Sequence, residues 1–114
     1  MQGRKIWFAD QNPDKVNAGE VHTINDSKTR GHKTLITRVK ESKVKHIPIT
    51  HSPKTRNMKN IELMQNFDLE DSRKSYILPK EQISNIKNVG KYHPTLKPRN
   101  SIDKSIIRHI KNHK

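Results

Sequence analysis

The stretch Lys45-His46-Ile47-Pro48-Ile49-Thr50-His51-Ser52 decides the fold. Val44, His46 and Pro48 alternate with Lys45, Ile47 and Ile49, the period of two that sends successive side chains to opposite faces of a strand. Pro48 has no amide donor, so the strand is expected at a sheet edge, or bulged there. The run ends on a hydroxyl, Thr50, in strongly cationic surroundings. Ten Lys or Arg residues lie from Lys28 to Lys59 against one acid, Glu41. Cations and a hydroxyl held on a rigid sheet suit a polyanion, and they suit chemistry on its phosphodiester.

Working outward, Thr34 to Val39 reads as a strand joined to Lys43–Ile49 by a polar turn at Lys40 to Ser42. Upstream, Lys5 to Ala9 is an apolar, aromatic strand, and Asp10 to Asp14 a turn with Pro13 fixing φ. Lys15 to Lys33 is a loop with a short strand at Glu20 to Ile24. Downstream come a cationic loop, Ser52 to Lys59, and strands at Asn60 to Gln65 and Ser75 to Leu78. Lys80 to Ile86 is a strand or a single helical turn, and Tyr92 to Asn100 is extended. Ser101 offers an N-cap and Asp103 a first-turn anion. Ile102, Ile106 and Ile110 recur every four residues, with Ile107 widening the stripe of an amphipathic helix. Short strands followed by one helix predict a mainly β chain, a small curved barrel or half-barrel.

With 114 residues there is room for one domain, spanning 1–114. The apolar fraction is 29% and the charged fraction 31%, so disorder competes with folding, but the apolar residues fall in clusters able to line a small core that gains from dimerising. The net charge of +13 names partners rather than a fold: RNA or DNA, an anionic surface, or an acidic protein. No apolar run has the roughly 20 residues of a membrane span, and the N-terminus does not read as a secretory signal. Without cysteine there is no disulfide framework and no thiolate metal site, which is compatible with a cytoplasmic location. No histidine spacing matches a closed metal site, and no cofactor motif is present.

Taken in order, several segments resemble the MazF/PemK family of toxin ribonucleases. Gly3-Arg4-Lys5-Ile6-Trp7-Phe8-Ala9-Asp10-Gln11-Asn12-Pro13 is similar to the family's opening. Arg30 or His32 precedes the apolar Thr34-Leu35-Ile36, and Ile47-Pro48-Ile49-Thr50 matches a strand ending in a hydroxyl. Asp71-Ser72, Tyr76-Ile77-Leu78 and Glu81-Gln82-Ile83 resemble a later family segment. The resemblance implies an SH3-like (PemK-type) barrel with a C-terminal helix. It also implies a homodimer, an acidic antitoxin partner, and metal-independent cleavage of single-stranded RNA by the RNA's own 2′-hydroxyl. Carried over, Thr50 is the hydroxyl and Arg30 the cation. The family's usual Pro after the arginine is replaced by Gly31-His32-Lys33, and a shift of one or two residues puts His32 in the arginine's place. A degenerate member would keep the cations as a non-catalytic nucleic-acid-binding accessory or inhibitor of a mobile element.

From the residues themselves, Arg30 can meet a phosphate in fork geometry, and Thr50 can hydrogen-bond the same phosphate. His32, His46 and His51 are candidate proton carriers near neutrality. Lys28, Lys33, His51, Lys54, Arg56 and Lys59 are expected to track the backbone. A further set from Lys97 to Lys111 does so on the helical side. Tyr76 and Tyr92 are the aromatics available for stacking on bases.

Overall fold

The computed structural model describes residues 16–25 and 32–112. The expected first strand, the Asp10–Asp14 turn, Lys28 and Arg30 lie outside them. The chain is mainly β with one C-terminal helix. Its strands are β1 (Val21–Ile24), β2 (Lys33–Lys40), β3 (Lys43–Thr50), β4 (Lys54–Thr55), β5 (Met58–Lys59), β6 (Ile61–Glu62), β7 (Tyr76–Ile77), β8 (Gln82–Asn85) and β9 (Val89–Tyr92), followed by helix α1 (Ser101–Asn112). One sheet runs β6-β7-β3-β2-β1-β9, with β8 also on β3, and β4 with β5 forms a separate hairpin. Among the described residues the two ends of the sheet, β6 and β9, do not pair with each other, so the expected closed barrel is not found.

β3 is the centre of this sheet rather than its edge. β2 covers one side along its length, from Lys40↔Lys43 to Thr34↔Pro48. On the other side β8 pairs with Lys43 to His46, and β7 with Ile49 and Thr50. The amide and carbonyl of one strand residue point to the same edge. The Pro48 carbonyl accepts from the Leu78 amide at 3.2 Å on the β7 side. Its missing donor therefore falls in the gap between the two short partner strands, where no ladder bond is lost. A proline that would break a continuous ladder is accommodated by changing partners.

The period of two buries both faces. Val21, Leu35 and Ile47 form a cross-strand row on one face, under Ile107 and Ile110 of α1 and beside Phe67, Leu63 and Ile77. Ile24, Ile36, Val44 and Val89 form the second cluster on the opposite face. On that second face His46 is fully buried, with Nδ1 2.9 Å from Thr34 Oγ1 and Nε2 2.8 Å from Ser84 Oγ. The ring links β2 and β8 through β3, which satisfies the polar groups a buried imidazole brings with it. His46 is thereby structural and closed to solvent.

The helix is anchored by Asp103, whose side chain is fully buried. Its carboxylate accepts from the amides of Met64 (3.1 Å) and Gln65 (3.2 Å) and from Asn100 Nδ2 (2.9 Å). Asn100 Oδ1 in turn accepts from the Asp103 amide at 2.8 Å, a reciprocal cap. Asn100, not Ser101, is thus the N-cap. Asp103→Ala removes the acceptor of two loop amides and half of the cap. Equilibrium denaturation is expected to show a loss of about 2–4 kcal/mol, since hydrogen bonds to charged groups and stranded buried donors dominate that cost.

Candidate functional site

Where β3 changes partners, a cleft of about 650 Å³ opens on the sheet face opposite α1. Pro48, Thr50, Leu78 and Gln82 line it, with Thr55, Arg56 and Met58 of the β4–β5 hairpin on one flank and His32 on the other. The strand pattern explains the convergence. Thr34 is opposite Pro48, and His32, just before the start of β2, reaches the same cleft as Thr50. His32 is exposed and Thr50 half-buried. Thr50 Oγ1 accepts from the Ser52 amide at 3.1 Å, leaving its O–H to act as a donor.

Arg56 reaches the cleft because the hairpin is tied down. Asn60, itself buried, donates from Nδ2 to the Ser52 carbonyl (3.0 Å) and to Thr55 Oγ1 (2.7 Å), while its amide reaches the Pro53 carbonyl at 3.0 Å. The turn between Thr55 and Met58 has two residues, and Arg56 holds φ at 55°. This left-handed geometry is what tight hairpins ask for and what a side chain resists. Lys54 and Lys59 are exposed and directly opposite each other on this hairpin, a like-charge pair that costs stability. Thr55 and Met58 face the cleft from this hairpin, so Lys54 and Lys59, one residue along, point to its other face. Among the described residues Arg56 is the one lysine or arginine in the cleft lining. Gln82 contributes a different feature: its side-chain oxygen is buried without a partner among the described residues, an acceptor awaiting a donor.

Other expected site residues lie elsewhere. His51 is exposed, with Nδ1 3.0 Å from the Lys74 carbonyl and Nε2 3.2 Å from Asp71, so its ring belongs to the β7 approach and not to the cleft lining. Asp71 is gripped by Arg73, Nη2 to Oδ2 at 2.8 Å; the guanidinium's hydrogen bonds hold the carboxyl well below the usual carboxylate range. Lys33, exposed, projects to the face opposite Thr34. Lys28 and Arg30 are outside the described residues. Tyr76 is across the strand pair from Thr50, whereas Tyr92 is stacked on His22 with centroids 4.9 Å apart.

A second histidine cluster sits at the β1–β9 seam. His22 Nε2 is 2.9 Å from Glu20 Oε1. Burial works to raise the Glu20 pKa, but hydrogen bonds from His22 and Asn17 outweigh it and the net shift is downward. Burial, with Lys33, Lys91 and His22 nearby, lowers that of His93. These rings do not line the cleft.

Among the described residues no group of three or more His, Cys, Asp or Glu could hold a metal ion. No described helix is long and apolar enough to cross a membrane. No protein-family model matches the chain, and no curated protein is significantly similar to it.

The sequence pattern missed Gln82, Thr55 and Met58 as cleft residues, because nothing local reports a change of strand partner. Glycine at position 56 would adopt the observed φ without the side-chain penalty. Arg56→Gly is therefore expected to raise stability by about 0.5–1 kcal/mol in thermal or denaturant unfolding, the strain relief exceeding the entropy of the added glycine.

Proposed function

We propose that the cleft binds single-stranded RNA and cleaves it without a metal, in the manner of the MazF/PemK toxin ribonucleases, on an SH3-like scaffold. The observation that carries this reading is the convergence of a guanidinium, a hydroxyl and an imidazole, from Arg56, Thr50 and His32, in one cleft. The chain's net charge of +13 and the collinear resemblance support it. A homodimer held in check by an acidic antitoxin belongs to the same proposal, as does a cytoplasmic setting.

In this reading His32 takes the proton of the ribose 2′-hydroxyl as its oxygen attacks phosphorus. The O2′–P bond forms and the P–O5′ bond breaks; the departing 5′-oxygen takes a proton from water. A 2′,3′-cyclic phosphate and a 5′-hydroxyl result. Arg56 offsets the charge gathering on the non-bridging oxygens, and the Thr50 hydroxyl donates to one of them. Gln82 supplies the acceptor for an amino group of a neighbouring base or for a hydroxyl of the chain. Arg30 keeps the role the resemblance gives it, a cation on the same phosphate.

Purified protein incubated with mixed-sequence RNA in chelator is expected to release fragments. Thr50→Val and Arg56→Gly should each lower the rate by about 10²–10³-fold, as losing one preorganised donor does. His32→Ala should lower it by about 10²–10⁴-fold. Cleavage that depends on added divalent metal, or that survives these changes, would overturn the mechanism. Salt-sensitive RNA binding with no scission would instead select the non-catalytic reading, an accessory or inhibitor protein using the same cations.

A further inference from the structure

The face of the sheet opposite the cleft carries a second concentration of charge, at the far end of the β2–β3 hairpin. Arg38, Lys40, Lys43 and Lys45 surround a groove of about 350 Å³ there, with Glu41 the one acid in its lining. The register sets these cations against each other: Arg38 is opposite Lys45, and Lys40 opposite Lys43. Directly opposed like charges destabilise a strand pair, yet two consecutive same-face pairs here are both cationic. Arg38, Lys40 and Lys43 make no ion pair among the described residues.

The irregularity that creates this arrangement is a β-bulge. Ile36 pairs with His46 but Arg38 with Lys45, so Thr37 is an extra residue on β2. Without it Thr37 would face Lys45, and Arg38 would fall on the opposite face beside Val44. Bulges re-aim side chains in this way. The bulge turns the Arg38 guanidinium out of the apolar face and onto the cationic one. Thr37 is buried and donates to Glu81, which fixes the bulge in place. The turn that closes the hairpin is also strained, with Glu41 at φ 52°. A bulge, a strained turn and two repulsive pairs thus all act to assemble the same four charges.

The cationic surface continues onto α1. Beyond Thr37 a smaller hollow between β2 and the helix is lined by Lys104, Arg108 and Lys111, spaced to share one helical face. Along the hairpin, same-face pairs are two residues apart, about 6.8 Å, so the four cations form a compact square of charge.

We propose that this groove is a nucleic-acid docking site, separate from the cleft. It grips the phosphate backbone without reading bases, and the bound phosphates relieve the repulsion built into the hairpin. Aromatic groups for stacking are absent from its lining, so sequence preference is not expected there.

The test measures binding of fluorescent 2′-O-methyl RNA and of single-stranded DNA over a range of salt concentrations. The probes are the wild-type protein, a Lys40→Gln/Lys43→Gln variant, and a variant with Arg38, Lys40, Lys43 and Lys45 all changed to Gln. The slope of log affinity against log salt is expected to shrink by about 1.4 in the double and about 3 in the quadruple variant, near 0.7 per lost phosphate contact. Both variants should melt at or above the wild-type temperature, since repulsion is removed, so weakened binding cannot be ascribed to unfolding. The slope losses of the hairpin variants and of Arg56→Gln in the cleft should add, as independent sites do, which separates this site from the cleft. Equal losses for the two probes identify the shared phosphate chain as the ligand; loss with RNA alone identifies RNA. Unchanged slopes with both probes would overturn the proposal. So would variants that lose only binding to anionic phospholipid vesicles.

Discussion

Pro48 constrains this fold more than any other residue. A strand at the centre of a sheet must have its amides paired on both edges, and proline has none to offer. The chain meets that condition by ending one partner, β8, before Pro48 and beginning another, β7, after it. The interruption falls at Ile47 and Pro48, and beside it the cleft opens, lined by Pro48, Thr50 and residues of the β4–β5 hairpin. The cleft is thus a direct consequence of a missing hydrogen-bond donor.

Much of this was legible in the residues. The alternation in β3 gave its two faces, and Val21–Ile24 fell where a short strand was expected; the isoleucine spacing gave the helix α1 but not its buried stripe, which runs through Asp103, Ile107 and Ile110 and leaves Ile102 exposed. The meaning of Pro48 was not legible, because an edge and a change of partners look identical from one strand. The Thr37 bulge was hidden for a similar reason: Thr34-Leu35-Ile36-Thr37 are four consecutive buried residues, which a strict period of two does not describe. Asn100 displaced Ser101 as N-cap because Asp103, three residues on, closes a reciprocal cap with it while the same carboxylate holds the Met64 and Gln65 amides, and only a tertiary contact reveals that. Of the site, Thr50 and His32 stood out as a hydroxyl and an imidazole beside apolar strands. Arg56 was visible only as one of many cations, since its selection depends on the hairpin's anchoring through Asn60.

Charge in this chain is arranged at a cost. Opposed cations occur on β4–β5 and twice on β2–β3, and among the described residues two non-glycine residues hold positive φ, one at the tip of each of these hairpins. A protein selected for stability alone would put glycine or asparagine at those turns and mix signs across those pairs. In the proposed docking of nucleic acid on the β2–β3 hairpin, a polyanion would offset that repulsion on binding. The acids Asp68 and Asp71 are, by contrast, satisfied internally, Asp71 through Arg73 and His51 and Asp68 through the Glu70 amide.

The most direct measurement is the chemistry of the ends left on RNA after exposure to the purified protein in chelator, read by mass spectrometry. Attack by the strand's own ribose oxygen must leave 2′,3′-cyclic phosphate and 5′-hydroxyl termini, and a fully 2′-O-methylated copy must remain whole. Termini bearing 5′-phosphate and 3′-hydroxyl groups, or RNA that stays intact at saturating protein, would contradict the chemistry assigned to the gap beside Pro48.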